Sequence, residues 1–407
     1  MRMQASGRCC GLFIALVLAR GFVSSSFAGD GERKDSAKPL TPGEAVRQAV
    51  DPDERIEKLL VLRRRLLDLD FQAWQSLVEG NIEEACEAKA EELSEVKVAY
   101  GEADPWSRVI VWSAESFEPL RKLPAEQREL LHQAARADRM GQRLRSSGSL
   151  DRALLHLRRA VEGYVDLLGN GSQITVYGLH RLAELEAQTG DLESAFAHRK
   201  EMLDSILKKL DEKNPFAAWA SGQMALVEEK LNRLRDAEGR WKQIVTATEP
   251  LMIDNPQPFV AILFALAHQH LAQLANGRGE FALAETHARE AVMISAAEIA
   301  LSPSADTRGA VAMAEIELAV ALTGLGRIAE ADRAFDSVLR FMYSNPNERP
   351  PVPIQVRVLS KYAEHCHKAK RESDARKLEA KLAHLKASES APEKSASRTA
   401  AGESKTK

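Results

Sequence analysis

The stretch LAELEAQTGDLESA, residues 182–195, decides the fold of this chain. It holds a small residue at Ala183, a turn residue at Gly190, and an alanine five positions after the turn, Ala195. The same residue sizes return at regular distances along the chain. The turn residues and their alanines are Gly148 with Ala153, Gly190 with Ala195, Asn232 with Ala237, Gly279 with Ala284, and Gly326 with Ala331.

These turn residues are separated by 42, 42, 47 and 47 residues. A nearly fixed period of this length predicts stacked helical hairpins, because one hairpin cannot bury its apolar face alone. Weaker copies at Gly80 and Lys370 indicate further units at both ends. The fold class we predict is therefore all-α, a solenoid of antiparallel helix hairpins. Large residues two positions after each turn are expected to fill the space between the paired helices: Leu150, Leu192, Leu234, Phe281 and Ile328.

The pattern resembles the tetratricopeptide repeat, and its spacing is similar to the longer, kinesin-light-chain type of that family. The resemblance rests on Leu182, Ala183, Leu185 and residues 190–195, and it covers roughly residues 134–344. It implies a right-handed superhelical solenoid. Glu186 and its counterpart Glu228 stand where the family usually has an aromatic residue, so we expect looser packing there.

The first 28 residues have the pattern of a secretory signal. Arg2 and Arg8 precede the apolar residues 12–18. Ser26-Phe27-Ala28 then has small residues at its first and third positions, as a signal cleavage site does. We therefore predict a signal peptide at 1–28 and an exported protein, periplasmic or extracellular. The apolar run is too short to span a bilayer, so no stable membrane anchor is expected.

Composition predicts four further segments. Residues 29–50 are polar with two prolines and are predicted to be a flexible leader. Residues 51–133 are predicted to be an N-terminal helical region with a degenerate repeat. Residues 134–387 form the repeat solenoid, and residues 388–407 are predicted to be a disordered tail, because they lack apolar periodicity.

Charge and cysteine content exclude several classes of protein. Removing Arg2, Arg8 and Arg20 with the signal leaves 53 basic and 59 acidic residues, so nucleic acid is not an expected partner. Cys86 and Cys366 would lie at opposite ends of an open array, too far apart for a disulfide. Both cysteines are predicted to be buried.

Signals of catalysis, cofactors or metals are weak. The chain has no glycine-rich phosphate loop and no nucleophile elbow. His268 and His270 are two residues apart, so on a helix they point about 200° away from each other and cannot readily share one metal ion. We predict no enzyme, no cofactor and no metal site.

The resemblance also implies where a ligand would bind, because in the family the first helix of each unit lines the concave groove. Spacings of three and four residues place a set of polar and aromatic side chains on one helix face. In the unit with Gly190 these are Tyr177, His180, Glu184 and Gln188. Neighbouring units add Asp138, Gln142, Arg145, Trp219, Glu229, Lys230, Gln269, Gln273 and Asn276, with an apolar end at Met313, Ile316 and Val320. We expect Trp219 to be an exposed anchor for the partner.

The function predicted from the sequence is a non-catalytic interaction scaffold or assembly factor that binds a peptide or protein partner in this groove. One alternative is a helical-repeat enzyme or glycan-processing factor with a site in residues 53–124, which would require convergent acids or histidines there. A second alternative is a self-associating structural envelope component.

Overall fold

The computed structural model describes residues 40–49, 52–254, 258–301, 305–343, 350 and 352–390. Within these residues the chain forms sixteen α-helices and one short 3₁₀ helix, with no β-strand, and the all-α prediction is confirmed. The predicted signal peptide lies outside the described residues. The chain divides into two compact units, Met1–Phe264 and Ala265–Lys407, which are described separately below.

The helices have the following bounds. The first ten are α1 Pro42–Gln48, α2 Pro52–Glu79, α3 Ile82–Tyr100, α4 Pro105–Phe117, α5 Ala125–Ser146, α6 Leu150–Leu168, α7 Gln173–Thr189, α8 Leu192–Leu207, α9 Pro215–Lys230 and α10 Leu234–Asp254, and the 3₁₀ helix Glu118–Lys122 follows α4. The others are α11 Pro258–Arg278, α12 Phe281–Leu301, α13 Ala305–Gly324, α14 Ile328–Tyr343, α15 Val352–Lys368 and α16 Glu372–Ser390.

Each turn residue predicted from the repeat adopts a left-handed backbone, which lets the chain reverse between two helices. This conformation is costly for most L-residues and easy for glycine, so glycine occupies five of the seven turns. The φ angles are 85° at Gly80, 79° at Gly148, 92° at Gly190, 58° at Asn232, 77° at Gly279, 73° at Gly326 and 60° at Lys370. The repeat phase is confirmed, including the weaker copies at both ends.

The alanine five positions after each turn is fully buried between the paired helices. A larger side chain there would hold the helices apart, which explains why the position is small in each unit. The seven residues are Ala85, Ala153, Ala195, Ala237, Ala284, Ala331 and Ala375. In the second unit, Ala284 packs against Ala275 and Ala321.

In the first unit, three hairpins stack in chain order: α5 with α6, α7 with α8, and α9 with α10. The two acids that depart from the family pattern are buried inside this stack and paired with bases. Glu186 lies 2.7 Å from His198, and its hydrogen bond raises the pKa of that imidazole. Glu228 accepts from Arg240 at 2.9 Å. Ion pairs therefore occupy these two positions.

The helix α4 departs from the stack and lies across the N-terminal ends of α7 and α9. Trp112 Nε1 donates to the carbonyl of Gly171 at 3.0 Å, just before α7. Asn214 Nδ2 donates to the carbonyl of Pro105 at 2.8 Å, just before α9. Because polar and aromatic contacts fix both sites, α4 is part of the packed unit.

The predicted flexible leader is a helix over residues 42–48, so that prediction is wrong for this segment. Thr41 and Glu44 form a capping box at its start. The Gly43 N–H donates to Glu95 Oε2 at 2.6 Å, and a Cβ at Gly43 would lie only 2.5 Å from the Glu95 carbonyl oxygen. Val46 is buried. Tertiary packing thus orders a segment whose composition alone indicates a loop.

In the second unit, a core of Ala312, Ile316, Val338, Met342 and Val358 joins α13, α14 and α15. The last helix, α16, packs on α15 and extends through residues 388–390, which were predicted to belong to the disordered tail. The rest of that tail, residues 391–407, lies outside the described residues.

Cys86 and Cys366 are buried, as predicted. The Cys86 thiol donates to the carbonyl of Phe117 at 3.2 Å, and burial raises its pKa to about 11. Among the described residues, one segment, Phe259–Arg278, is long and apolar enough to cross a membrane, and 78% of its most apolar window is buried inside the protein. A core helix has the same composition.

Candidate interaction groove

The aromatic residues predicted to line the groove of the first unit are buried. Tyr177 and Trp219 are each 3% exposed. The Tyr177 ring meets Trp74 edge-on at 5.9 Å between centroids, and Trp219 stacks on Phe216 at 4.9 Å. The expectation of an exposed Trp219 anchor is therefore wrong. It is a packing residue between adjacent helices.

The N-terminal helices supply the side chains that cover this part of the groove. Trp74 of α2 contacts Tyr177, and it also packs edge-on against Phe117 of α4 at 5.8 Å. Trp112 of α4 lies 6.1 Å from Phe216 of α9. Aromatic rings from two elements thus close the start of the groove, and a partner has no access to it there.

Asp138 is also withdrawn from the groove, because it forms a buried ion pair with Arg181. The Arg181 Nε donates to Asp138 Oδ1 at 2.9 Å, and a second guanidinium nitrogen contacts the other carboxylate oxygen. Gln142 Nε2 donates to Asp138 at 3.1 Å, and the Tyr164 hydroxyl at 3.3 Å. The Arg181 guanidinium lies 5.5 Å from the centre of the Trp74 ring. This cluster joins α2, α5, α6 and α7.

His180 is buried next to Arg199 of α8, with its Nδ1 in contact with the guanidinium. Its ring lies 5.0 Å from that of Trp219. Burial, and then the positive charges of Arg199, Arg181 and Arg145, hold the pKa of His180 well below its usual value. The imidazole is therefore neutral at physiological pH. Burial also lowers the pKa of Arg199, to about 10.

A convergent charged cluster lies within residues 53–124, and none of its members was predicted from the sequence. Lys89 donates to Glu92 Oε2 at 2.8 Å and also contacts Asp70. Burial raises the pKa of Glu92 to about 7. All three side chains are buried between α2 and α3, so this cluster is closed to a substrate. The spacing of Lys89 and Glu92, three residues apart, was the only sequence signal of it.

The polar residues at the C-terminal ends of α5, α7 and α9 remain accessible. We call this set the polar ridge: Arg145, Glu184, Gln188 and Lys230. Arg145 binds both Glu184 oxygens, at 2.7 and 2.8 Å, and donates to Gln188 Oε1 at 3.0 Å. Lys230 Nζ lies 3.4 Å from the Ala187 carbonyl oxygen. The ridge residues thus connect three successive repeats.

Solvent reaches the ridge, because the Arg145 and Glu184 side chains are 28% and 43% exposed, and Gln188 and Lys230 are more exposed still. Burial by itself raises the pKa of Glu184, but the hydrogen bond and charge of Arg145 outweigh it and lower the pKa. Glu229, predicted beside Lys230, is instead half-buried and accepts from Trp241 Nε1 at 2.7 Å.

In the second unit, the predicted polar positions are bonded to neighbouring helices. Gln273 accepts from Arg357 at 2.9 Å, Asn276 donates to the Glu317 carboxylate at 2.9 Å, and Gln269 is buried. The predicted apolar end is core, so that expectation is wrong. Ile316 is fully buried, with Met313 and Val320 packed around it.

No group of three or more His, Cys, Asp or Glu side chains in the described part of the chain is placed to hold a metal ion. His268 faces His287 of the next helix, with 3.1 Å between their Nδ1 atoms. Burial, together with His287, lowers the pKa of His268 to about 4.

Seven hairpin turns at the repeat spacing, each followed by a fully buried alanine, define the architecture. The fold is an all-α solenoid of antiparallel helix hairpins, and its repeat pattern is similar to the TPR type. No protein-family model matches the sequence, and no curated protein matches it.

Several solved structures are similar to this chain. One contains nearly identical TPR-like repeats from Podosopora anserina, described as kinesin light chain, and is 17% identical over 51% of this chain and 93% of its own, with a TM-score of 0.41. The apo form of RapI is 9% identical over 80% of this chain and 98% of its own, with a TM-score of 0.49. A tetratricopeptide repeat protein from Parabacteroides merdae is 14% identical over 79% of this chain and 93% of its own, with a TM-score of 0.38.

Proposed function

We propose that this protein is a non-catalytic scaffold that binds a peptide or protein partner along the polar ridge. The observation that carries the proposal is the continuity of the ridge across three repeats. Arg145, Gln188 and Lys230 come from three successive first helices, are bonded across the repeats, and reach solvent. An extended partner segment would meet donors and acceptors in a row.

The ridge is ordered before a partner arrives, which favours binding. Long side chains such as Arg145 and Lys230 lose about 0.5–1.5 kcal/mol each when a partner immobilises them. The bidentate Arg145–Glu184 pair has already fixed two of these side chains. Each carboxylate oxygen can accept a further hydrogen bond, and Gln188 offers an amide donor.

The buried Asp70–Lys89–Glu92 cluster gives little support to an enzyme in the N-terminal region, because its side chains are sealed from solvent. Export remains part of the proposal. It is supported by the charged start at Arg2 and Arg8, the apolar residues 12–18 and the small residues before position 29.

Photo-crosslinking from single positions tests the proposal. A photoreactive amino acid is placed at Gln188 or Lys230 in the full chain, expressed in its native cells. Matched variants carry it at Lys200 or Arg235, which are exposed on the second helices α8 and α10. We expect one discrete crosslinked partner from both ridge positions and none from the two controls.

The partner is then purified, and its Kd for the intact protein is measured. Arg145→Ala should weaken binding about tenfold, which corresponds to about 1.4 kcal/mol, whereas Lys200→Ala should leave Kd unchanged. Equal crosslinking from ridge and control positions would contradict a ridge-specific partner. A product of twice the chain mass would favour self-association instead.

A further inference from the structure

The turn between α6 and α7 contains an Asn-Gly pair, Asn170 followed by Gly171. Such a pair is chemically labile, because the backbone nitrogen of the second residue can attack the asparagine side chain, and glycine has no Cβ to obstruct the attack. A second Asn-Gly pair, Asn276 with Gly277, lies near the end of α11. The structure holds the two pairs differently.

In the turn, the attacking nitrogen is accessible and the asparagine is weakly restrained. Gly171 is exposed, and its N–H makes no hydrogen bond within the part of the chain that the structure describes. Asn170 is half-buried, and its side chain makes one hydrogen bond to another described residue, from Nδ2 to Glu201 Oε1 of α8 at 2.5 Å. Loss of that single bond frees the side chain to turn toward the Gly171 nitrogen.

In α11, both members of the pair are held. Gly277 lies inside the helix, where a backbone N–H donates to the carbonyl four residues earlier. Asn276 Nδ2 donates to the backbone carbonyl of Glu317 and to its carboxylate, at 2.9 Å each. Attack on this asparagine therefore requires the end of the helix to open first, which costs free energy.

We propose that Asn170 is a site of spontaneous deamidation and that the structure protects Asn276 from the same reaction. The Gly171 nitrogen gives its proton to a base from solvent and forms a bond to Cγ of Asn170. The bond between Cγ and Nδ2 breaks, and this nitrogen takes up a proton and leaves as ammonia. Water then opens the five-membered imide at one of its two carbonyls, which gives aspartate or isoaspartate. No group is oxidised or reduced.

The reaction loosens the start of α7. Both products replace the amide donor of residue 170 by a carboxylate next to Glu201, so a hydrogen bond becomes a repulsion between like charges. Isoaspartate also lengthens the backbone just before Gly171, whose carbonyl accepts from Trp112 of α4. The contact that holds α4 against the start of α7 therefore lies one residue from the modified position.

Peptide mass spectrometry of the full chain, aged in its folded state in mildly alkaline buffer, tests the proposal. Trypsin separates the two pairs into the peptides 160–181 and 243–278. Gly171→Ala places a Cβ on the attacking residue, and Gly277→Ala is the matched control. A Cβ at either glycine meets no atom within 4 Å, and neither glycine has a left-handed backbone, so both variants should fold as the wild type does.

We expect peptide 160–181 to deamidate at least about tenfold faster than peptide 243–278, because only the second reaction needs the helix to open. Gly171→Ala should remove most of this difference, and Gly277→Ala should leave the rate at Asn170 unchanged. Equal rates for the two peptides, or an unchanged rate in Gly171→Ala, would overturn the proposal. A sugar on Asn170, which the Asn-Gly-Ser pattern also permits, would block Nδ2 and overturn it too.

The variant Asn170→Asp reproduces the aspartate product and tests the effect on α7. We expect its urea midpoint, and that of the aged wild-type chain, to lie below the midpoint of the fresh chain, whereas ageing should not change Gly171→Ala. Adding Glu201→Gln to Asn170→Asp should recover part of the loss, since it removes the repulsion. Equal midpoints for the fresh chain and a deamidated chain would overturn the loosening of α7.

Discussion

Replacing Arg181 by methionine should lower the free energy of unfolding by about 3–5 kcal/mol, because the change leaves Asp138 as a buried charge without its partner. The pair is buried among α2, α5 and α7, and Trp74 covers the guanidinium. Gln142 and Tyr164 would still donate to the carboxylate, but neither supplies positive charge. Urea unfolding followed by circular dichroism measures the loss.

The matched control is Arg145→Met, which breaks the Arg145–Glu184 pair. Glu184 lies on α7, about one turn after Arg181. Because solvent reaches that pair, its loss should cost only about 0–1 kcal/mol. Adding Asp138→Asn to Arg181→Met should recover part of the lost stability, since the buried charge is then removed. Similar losses for Arg181→Met and Arg145→Met would show that Asp138 and Arg181 do not form a buried pair.

Replacing Trp219 by alanine should lower the free energy of unfolding by about 3–5 kcal/mol, as expected for a large buried aromatic side chain. Its ring stacks on Phe216 and packs against His180, so the truncation leaves a cavity between α7 and α9. A partner anchor in an open groove would behave differently. Its truncation would weaken binding and leave unfolding nearly unchanged.

Phe71→Ala is the matched aromatic control for Trp219→Ala. Phe71 lies on α2 and is 53% exposed, so its truncation should cost no more than about 0.5 kcal/mol. Indistinguishable urea midpoints for the two variants would mean that Trp219 is accessible, and the original prediction of an exposed anchor would then be restored.

The repeat phase was predictable because it depends on local requirements. A hairpin needs a residue that tolerates positive φ at its turn, and it needs a small residue where the helices cross. Both requirements select particular residue types five positions apart in the sequence, as at Gly190 and Ala195. Even Lys370, for which a left-handed backbone is unfavourable, was identified by the alanine five positions after it, Ala375.

The accessibility of the groove was not predictable from the same pattern. The spacing of Tyr177, His180 and Glu184 tells which helix face they share, but not whether another segment covers it. Trp74 and Trp112 cover this face, and both lie more than 60 residues earlier in the chain. The repeat pattern does not predict where these two residues pack. Only the C-terminal end of that face, at Glu184 and beyond, remains open.

The helix over residues 42–48 was missed for a related reason. A seven-residue helix is unstable by itself, so composition gives almost no signal for it. Its stability depends on Glu95, whose carboxylate accepts from Gly43 across 52 residues of sequence. From the sequence, Glu95 would be predicted to be exposed like the other acids of α3, but it is buried.

Closure of the groove by α4 is tested most directly by thiol labelling at the two ends of α7. Gln173 lies under α4, where its backbone N–H donates to Ser116 Oγ at 2.9 Å and its side chain to the carbonyl of Val109 at 3.4 Å. Gln188 lies at the other end of the same helix and is exposed. Cys86 and Cys366 are buried, and Cys9 and Cys10 are replaced by serine for this experiment, so labelling of the parent chain should be slow.

Under native conditions, Gln173→Cys should react with a maleimide at least about 100-fold more slowly than Gln188→Cys, which corresponds to about 2.7 kcal/mol of protection. In urea above the unfolding transition, the two rates should converge. Equal rates under native conditions would show that α4 does not cover the start of α7, and the account of a groove closed at this end would be contradicted.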